Sequence, residues 1–154
     1  ADDERNPDPR TARRMSGEPH LPTRPARRTV ETEEFWDGCA DGRLLLPQCD
    51  ECGDSFWYPR LVCPFCGSQS VHYAESSGLG TVYSFTVIRR GSGPFRERAP
   101  YVLAMIQLDD GPIMMSNVVG ADPQNIAIDM PVQVIFERAG DDGEDAIPRF
   151  VPRQ

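Results

Sequence analysis

A mainly β protein, with two small β units behind one short helix, is the fold class this sequence predicts. Three observations carry that prediction. The 154 residues include 13 Gly and 15 Pro, a content that favours short strands and turns over long helices. Four of the five Cys form two Cys-x-x-Cys pairs near the middle of the chain, a spacing typical of small metal-held units. After them come four or five short alternating or apolar runs with no long helical pattern between them.

Residues 1–28 read as a disordered linker or arm. Pro7, Pro9, Pro19, Pro22 and Pro25 stand among Arg and acids with almost no large apolar residue. So little burial is available to offset the entropy of ordering. Such a segment suits either a linker from a preceding domain or an arm that orders on a partner. Residues 29–42 read as a short N-terminal helix and its stop. Thr29 or Thr32 can cap it, Glu31, Glu33 and Glu34 suit the positive end of the helix dipole, and Asp41-Gly42 ends it. Phe35 and Trp36 share a face with Cys39. Two adjacent aromatics on so short a helix need cover, from the chain's own body or from another subunit. Phe35 and Trp36 are therefore the candidate partner-docking residues.

Residues 43–73 form the metal segment. It reads Cys49-Asp50-Glu51-Cys52-Gly53 and, after a ten-residue spacer, Cys63-Pro64-Phe65-Cys66-Gly67. In each turn two thiolates and nearby N–H groups face one point. The Gly after the second Cys permits the positive φ that such a turn needs. Pro64 pre-sets φ within the second turn. The spacer suits a β-hairpin, with Phe56-Trp57-Tyr58 leading out and Arg60-Leu61-Val62 leading back. Cys49, Cys52, Cys63 and Cys66 are thus the predicted ligands of one Zn2+. Four thiolates fill its tetrahedron, so the ion is structural and water has no open position. A rubredoxin-like iron centre is the rival, because the Cys63–Gly67 turn is similar to one side of rubredoxin. Colour and metal content separate the two.

Residues 74–154 read as a small antiparallel barrel of the OB type. Residues 80–89 alternate, placing Val82, Ser84 and Thr86 on one face and Tyr83, Phe85 and Val87 on the other. Residues 101–108 make a second strand, Asp109-Asp110-Gly111 a tight turn, and residues 113–119 a third strand. Residues 132–137 make a fourth. A charged turn from Asp141 to Asp145 leads to residues 147–151, which could close the set at four or five strands. Between the first two strands lies a Gly- and Pro-rich loop carrying Arg89, Arg90, Arg96 and Arg98.

The formal net charge of −8 is uneven, with +2 on residues 1–28 and −10 on the remainder. The body therefore repels phosphate backbones in general, while a local Arg pocket for one small anion stays open. All sixteen cations are Arg, so a phosphate contact must come from Arg, a backbone N–H or a hydroxyl. There is no run of 18 apolar residues and no signal-type N-terminus, and the thiols are spaced for metal rather than disulfides. A cytoplasmic protein is expected. His20 falls in the arm, His72 follows the metal segment, and Cys39 reads as a small buried hydrophobe. No nucleophile and base stand together in the sequence, so no catalytic residue is expected.

The order of these features is more specific than the cysteines alone. Phe35-Trp36, Gly42-Arg43-Leu44, Gln48 to Gly53, Tyr58-Pro59-Arg60, Cys63 to Ser68, Ser77 to Thr86 and Met130-Pro131-Val132 follow one another. The run resembles a bacterial and archaeal family of zinc-ribbon plus OB-fold proteins encoded beside thiolases, over residues 31–151. Asp129 departs from it, since relatives usually carry Gly there. The resemblance implies a rubredoxin-like zinc ribbon joined to a C-terminal OB-fold barrel, acting as an accessory subunit in acyl-CoA and lipid metabolism. Relatives associate with thiolases, with hydroxymethylglutaryl-CoA synthase, or with thiolase-like aldolases of steroid side-chain degradation. In that last setting a similar domain forms the C-terminal part of a hydratase subunit, and residues 1–28 would be its linker.

The expected function is a non-catalytic subunit that docks on a thiolase-superfamily enzyme, forming a hetero-oligomer, and helps bind or position acyl-CoA. Arg89, Arg90, Arg96 and Arg98 are the candidate contacts to the CoA phosphates. The alternative is a single-stranded nucleic-acid module, with Tyr83, Phe85 and Tyr101 as stacking platforms. A stand-alone enzyme using Cys39 or His72 is the third reading.

Overall fold

The computed structural model describes residues 21–139 and 145–153. His20, the first three of the five arm prolines and most of the charged turn lie outside them. The described elements run α1 (Glu33–Ala40), β1 (Leu45–Cys49), β2 (Val71–Glu75), β3 (Leu79–Ile88), β4 (Tyr101–Leu108), β5 (Ile113–Val118), β6 (Pro131–Ala139) and β7 (Asp145–Pro152). β1 and β2 form an antiparallel pair, and the other five strands close a barrel in the order β3-β4-β5-β7-β6. β5 meets β7 in parallel at Val118 and Phe150, and β3 meets β6 antiparallel at Gly80 and Val132. The mainly β fold, with a short helix, a ribbon region and an OB-type barrel, is the one predicted.

Alternation builds the barrel core. Val102, Ala104, Ile106 and Leu108 of β4 point inward with Met114 and Val118 of β5, Val132 of β6 and Phe150 of β7. β3 departs from the simple alternation. A β-bulge sets Tyr83 and Ser84 together against Met105, between the pairs Val82–Ile106 and Phe85–Ala104. The extra residue inverts the phase of the strand. Val82 therefore shares the core with Phe85 and Val87, whereas strict alternation put them on opposite faces. Gly80 lets β3 and β4 approach closely, because a Cβ there would lie 2.4 Å from the Gln107 carbonyl oxygen.

The helix packs on the barrel rather than projecting from it. Thr32 precedes α1, Asp41 follows it, and Gly42 has φ 76°. The Thr32 hydroxyl accepts the Thr29 N–H at 3.0 Å, so the side chain bonds backward instead of capping forward. Phe35 and Cys39 belong to the barrel core cluster.

Residues 21–28 correct the expectation of disorder throughout 1–28. Leu21 is buried. The Thr23 hydroxyl donates to the Arg138 carbonyl at 3.1 Å, and the Ala26 N–H donates to Asp145 Oδ2 at 3.0 Å. Arg28 spans Asp145 on β7 and Asp37 on α1. Arg149, 2% exposed, faces Glu137 at 2.9 Å and donates to the Pro22 carbonyl at 3.0 Å. The segment has little apolar content of its own. Its order comes from hydrogen-bond partners that the barrel supplies from distant positions.

Candidate metal centre and arginine loop

The two Cys-x-x-Cys turns are near copies of each other. The Gly53 N–H donates to the Cys49 carbonyl at 2.9 Å and the Gly67 N–H to the Cys63 carbonyl at 3.0 Å. Both glycines have φ 77°, the left-handed value that only Gly adopts freely. The four Sγ atoms lie within 4.8 Å of one another. Cys49 and Cys66 are 3.5 Å apart, and Cys52 and Cys63 are 3.7 Å apart. A tetrahedron of thiolates at Zn–S ~2.3 Å has edges of about 3.8 Å, so these residues fit one such ion.

Electrostatics point the same way. The Cys49 thiol is drawn below its ordinary value, first by the Cys52 N–H. Cys52 and Cys66 accept the N–H groups of Asp54 and Ser68, yet desolvation and the neighbouring sulfurs hold both above the ordinary value. Cys49 thus favours the thiolate, while Cys52 and Cys66 resist a further charge beside it until a cation joins them. Bound by all four, the ion has no open position for substrate or water.

The predicted hairpin inside the spacer is replaced by irregular chain. Among the described residues the spacer makes one isolated bridge, Ser55 with Gln48. The ribbon's pair is instead β1 leading into the first turn and β2 leaving the second, in register from Leu45–Glu75 to Cys49–Val71. The aromatics explain the change. Phe56, 2% exposed, packs with Cys49 and Cys63, while Trp57 packs on the barrel-side cluster against Phe35, ring centroids 5.0 Å apart. Each aromatic is thus committed to a cluster outside the spacer, and the returning residues Arg60, Leu61 and Val62 pair with neither.

Asp50 ties the first turn to β2, with Oδ2 accepting the Ser70 hydroxyl and Oδ1 facing His72 Nδ1, both at 2.7 Å. The Ser70 hydroxyl, then His72, holds the Asp50 carboxyl below the usual carboxylate range. His72 sits exposed on β2. Neither this clasp nor the 21–28 strap was visible in the sequence. The pairs are 20 to 127 residues apart, and no local pattern announces them.

Phe35 has no surface to offer a partner. It is 0% exposed and lies 4.8 Å from the Trp36 ring centroid. This corrects its place among the docking candidates, because the chain's own barrel and Trp57 supply the cover that the helix needs. Trp36 is half-buried against the same cluster. Burial lifts the Cys39 thiol to about 12, which leaves it protonated at neutral pH and a poor nucleophile.

Arg89 and Arg90 follow β3, and Arg96 and Arg98 sit on a 3-10 turn, Gly93–Arg98, before β4. All four are exposed. Gly93, Pro94, Arg96 and Glu97 line an open depression there, and Phe95 leans on Tyr101 at 5.5 Å. Among the described residues no helix is long and apolar enough to cross a membrane.

Comparison with known proteins places this arrangement. The family described as "ChsH2, rubredoxin-like zinc ribbon domain" matches residues 36–72, and "ChsH2, C-terminal OB-fold domain" matches residues 73–137. A DUF35 domain-containing scaffold protein of Methanothermobacter thermautotrophicus is 33% identical over 105 residues, which are 68% of this chain and 79% of that protein. The 3-oxo-4,17-pregnadiene-20-carboxyl-CoA hydratase alpha subunit of Mycobacterium tuberculosis is 34% identical over 69% of this chain and 33% of its own length. This chain thus spans about a third of that protein. Among solved structures, a chain of the Ltp2-ChsH2(DUF35) aldolase matches with TM-score 0.74 and 30% identity, covering 83% of this chain and 98% of that one. The chain belongs to the DUF35 family, with a zinc ribbon that positions four cysteines for one metal ion joined to an OB-fold barrel.

Proposed function

We propose that this chain is a non-catalytic accessory component that docks on a thiolase-superfamily enzyme and helps bind or position its acyl-CoA substrate. The observation that carries the reading is the likeness, over almost the whole of the other chain, to a domain solved as part of an aldolase with Ltp2. A thiolase-like aldolase is accordingly the favoured partner, and steroid side-chain degradation the favoured setting, in line with the pregnadiene-carboxyl-CoA hydratase relative. Residues 21–28 then fix the point at which any preceding domain joins.

The chemistry available to this chain agrees. A metal bound by Cys49, Cys52, Cys63 and Cys66 is coordinatively full and stiffens the ribbon. The partner's groups perform bond making and breaking. Arg89, Arg90, Arg96 and Arg98 contact the CoA phosphates, each guanidinium offering a planar fork of donors. In the described structure none of the four is held by a carboxylate, so they are free to receive an anion. The nucleic-acid reading is weaker, because the body is acidic and affinity for a phosphate backbone depends on neutralising it.

Co-expression with a thiolase-like aldolase subunit tests the proposal. A stable complex is expected, with acyl-CoA turnover only when both chains are present. Turnover by this chain alone, or no complex at all, overturns it. Replacing Arg96 and Arg98 by Ala is expected to raise the KM for acyl-CoA several-fold while the complex persists.

A further inference from the structure

β3, β4 and β5 contain no Asp, Glu or Arg in their 24 residues, although 26% of the chain is charged. The inward half of each strand needs no charge, since it fills the core. The outward half stands in water: Tyr83 is 59% exposed, Met105 37% and Met115 57%. Register places these three in one row. The bulge sets Tyr83 and Ser84 against Met105, and Met105 pairs with Met115. Directly opposed side chains on one face lie about 5 Å apart, so the row is a continuous strip. Leu103 and Ile113 alternate onto the same face. β6 and β7 differ, for they carry Glu137, Arg138, Asp145 and Arg149.

A sheet face that is exposed, uncharged and rich in Met and Tyr has the composition of an interface core, where charges are depleted and Met and aromatics enriched. It offers no cation to a phosphate backbone, so nucleic acid is a poor occupant. We propose that the outer face of β3, β4 and β5 is the surface by which this chain docks on its thiolase-like enzyme partner, against an apolar, uncharged patch of that enzyme. The inference rests on the accessory reading above and deepens it. Area argues against a second copy as occupant. Three strands at ~4.8 Å spacing and about seven residues at ~3.3 Å rise give roughly 300 Å2 of face. Pairing the face with itself buries roughly 600 Å2 in total, below the ~1,000 Å2 of a specific interface. A larger enzyme surface extends past the strip onto the adjoining loop that carries Arg96 and Arg98.

The test uses the full zinc-loaded chain, titrated against the purified thiolase-like subunit. The Met105→Glu/Met115→Glu double variant is expected to weaken binding at least tenfold, with metal content and thermal midpoint unchanged. Met115→Leu is expected to bind like wild type. So is Gln133→Glu, which adds one charge of the same sign on the exposed side of β6. If the double variant misfolds, Tyr83→Arg at the most exposed position takes its place and is expected to show the same loss. A folded variant that binds like wild type overturns the inference and leaves the accessory reading standing. An equal loss from Gln133→Glu also overturns it, as does wild-type self-association that the double variant abolishes. Failure of the wild-type chain to bind at all overturns both.

Discussion

The ribbon and the barrel are stabilised by different means. Around the sulfurs the buried cluster is Cys49, Phe56 and Cys63 with Val71 at its edge. The barrel and helix share a cluster that includes Phe35, Ile106, Leu108, Met114, Val132 and Phe150. A core as small as the first cannot offset the entropy of ordering its chain, so the metal must supply the difference. The barrel's core is of the size on which small domains fold without such help. The ribbon also lends Leu44, Leu46, Trp57 and Tyr73 to the barrel's cluster, so it is held by coordination together with its seat on the barrel, whereas the barrel is held by burial, and the two respond differently to metal removal.

Metal removal breaks this contrast most sharply. Structural zinc contributes about 10–16 kcal/mol in zinc-finger peptides. Chelation is expected to abolish amide exchange protection in the 45–75 region while β3 to β7 stay protected; loss of protection in both regions would show a single cooperative unit. Phe150→Ala is the converse experiment. It should cost about 3–5 kcal/mol by emptying the barrel core and lower the denaturation midpoint with metal stoichiometry intact. Phe56→Ala should weaken metal binding first and move the barrel midpoint little.

Removing the buried cation that faces Glu137 by Arg149→Ala is expected to cost about 3 kcal/mol. Arg149→Glu would reverse the charge and cost more, whereas Arg149→Met, which keeps the packing, should cost less than Ala, read in the same denaturation assay. Alkali sharpens the comparison further. Burial lifts the Cys39 thiol from about 9 to about 12; burial, then the charge of Glu34, lifts the Tyr73 phenol from about 10 to about 12. The folded chain holds both protons longer than the unfolded chain does, so their contribution is complete below about pH 9 and is lost as pH rises toward 12. Cys39→Ala with Tyr73→Phe should flatten the melting temperature across that window. The smallest effect is expected from Arg28→Ala. Its half-exposed ion pairs with Asp37 and Asp145 contribute about 1 kcal/mol or less, and faster proteolysis within 21–28 should be the main change.

Local pattern carried a large part of the structure. Tyr101–Leu108 is bounded in the chain as its apolar alternation predicts, and Cys49, Cys52, Cys63 and Cys66 converge as their spacing predicts. Each of those features is written in neighbouring residues: a two-residue period, a Gly after the second Cys, a turn at Asp109–Gly111. Local pattern failed where a residue answered to something distant. Phe56 and Trp57 look like one strand of a hairpin and instead serve two separate clusters. Tyr83 looks like a regular strand position and is part of a bulge that turns Phe85 inward.

What the sequence determined by itself is thus the inventory: a helix, a thiol cage and four or five barrel strands, because each follows from short-range geometry and periodicity. Only the tertiary structure decided that Phe35 is covered, that residues 21–28 are strapped to β6 and β7, and that the outer face of the uncharged strands stands exposed. Those outcomes depend on which distant groups meet. Hydrogen bonds and apolar contacts between residues from about 20 to more than 100 apart leave no mark on either neighbourhood alone.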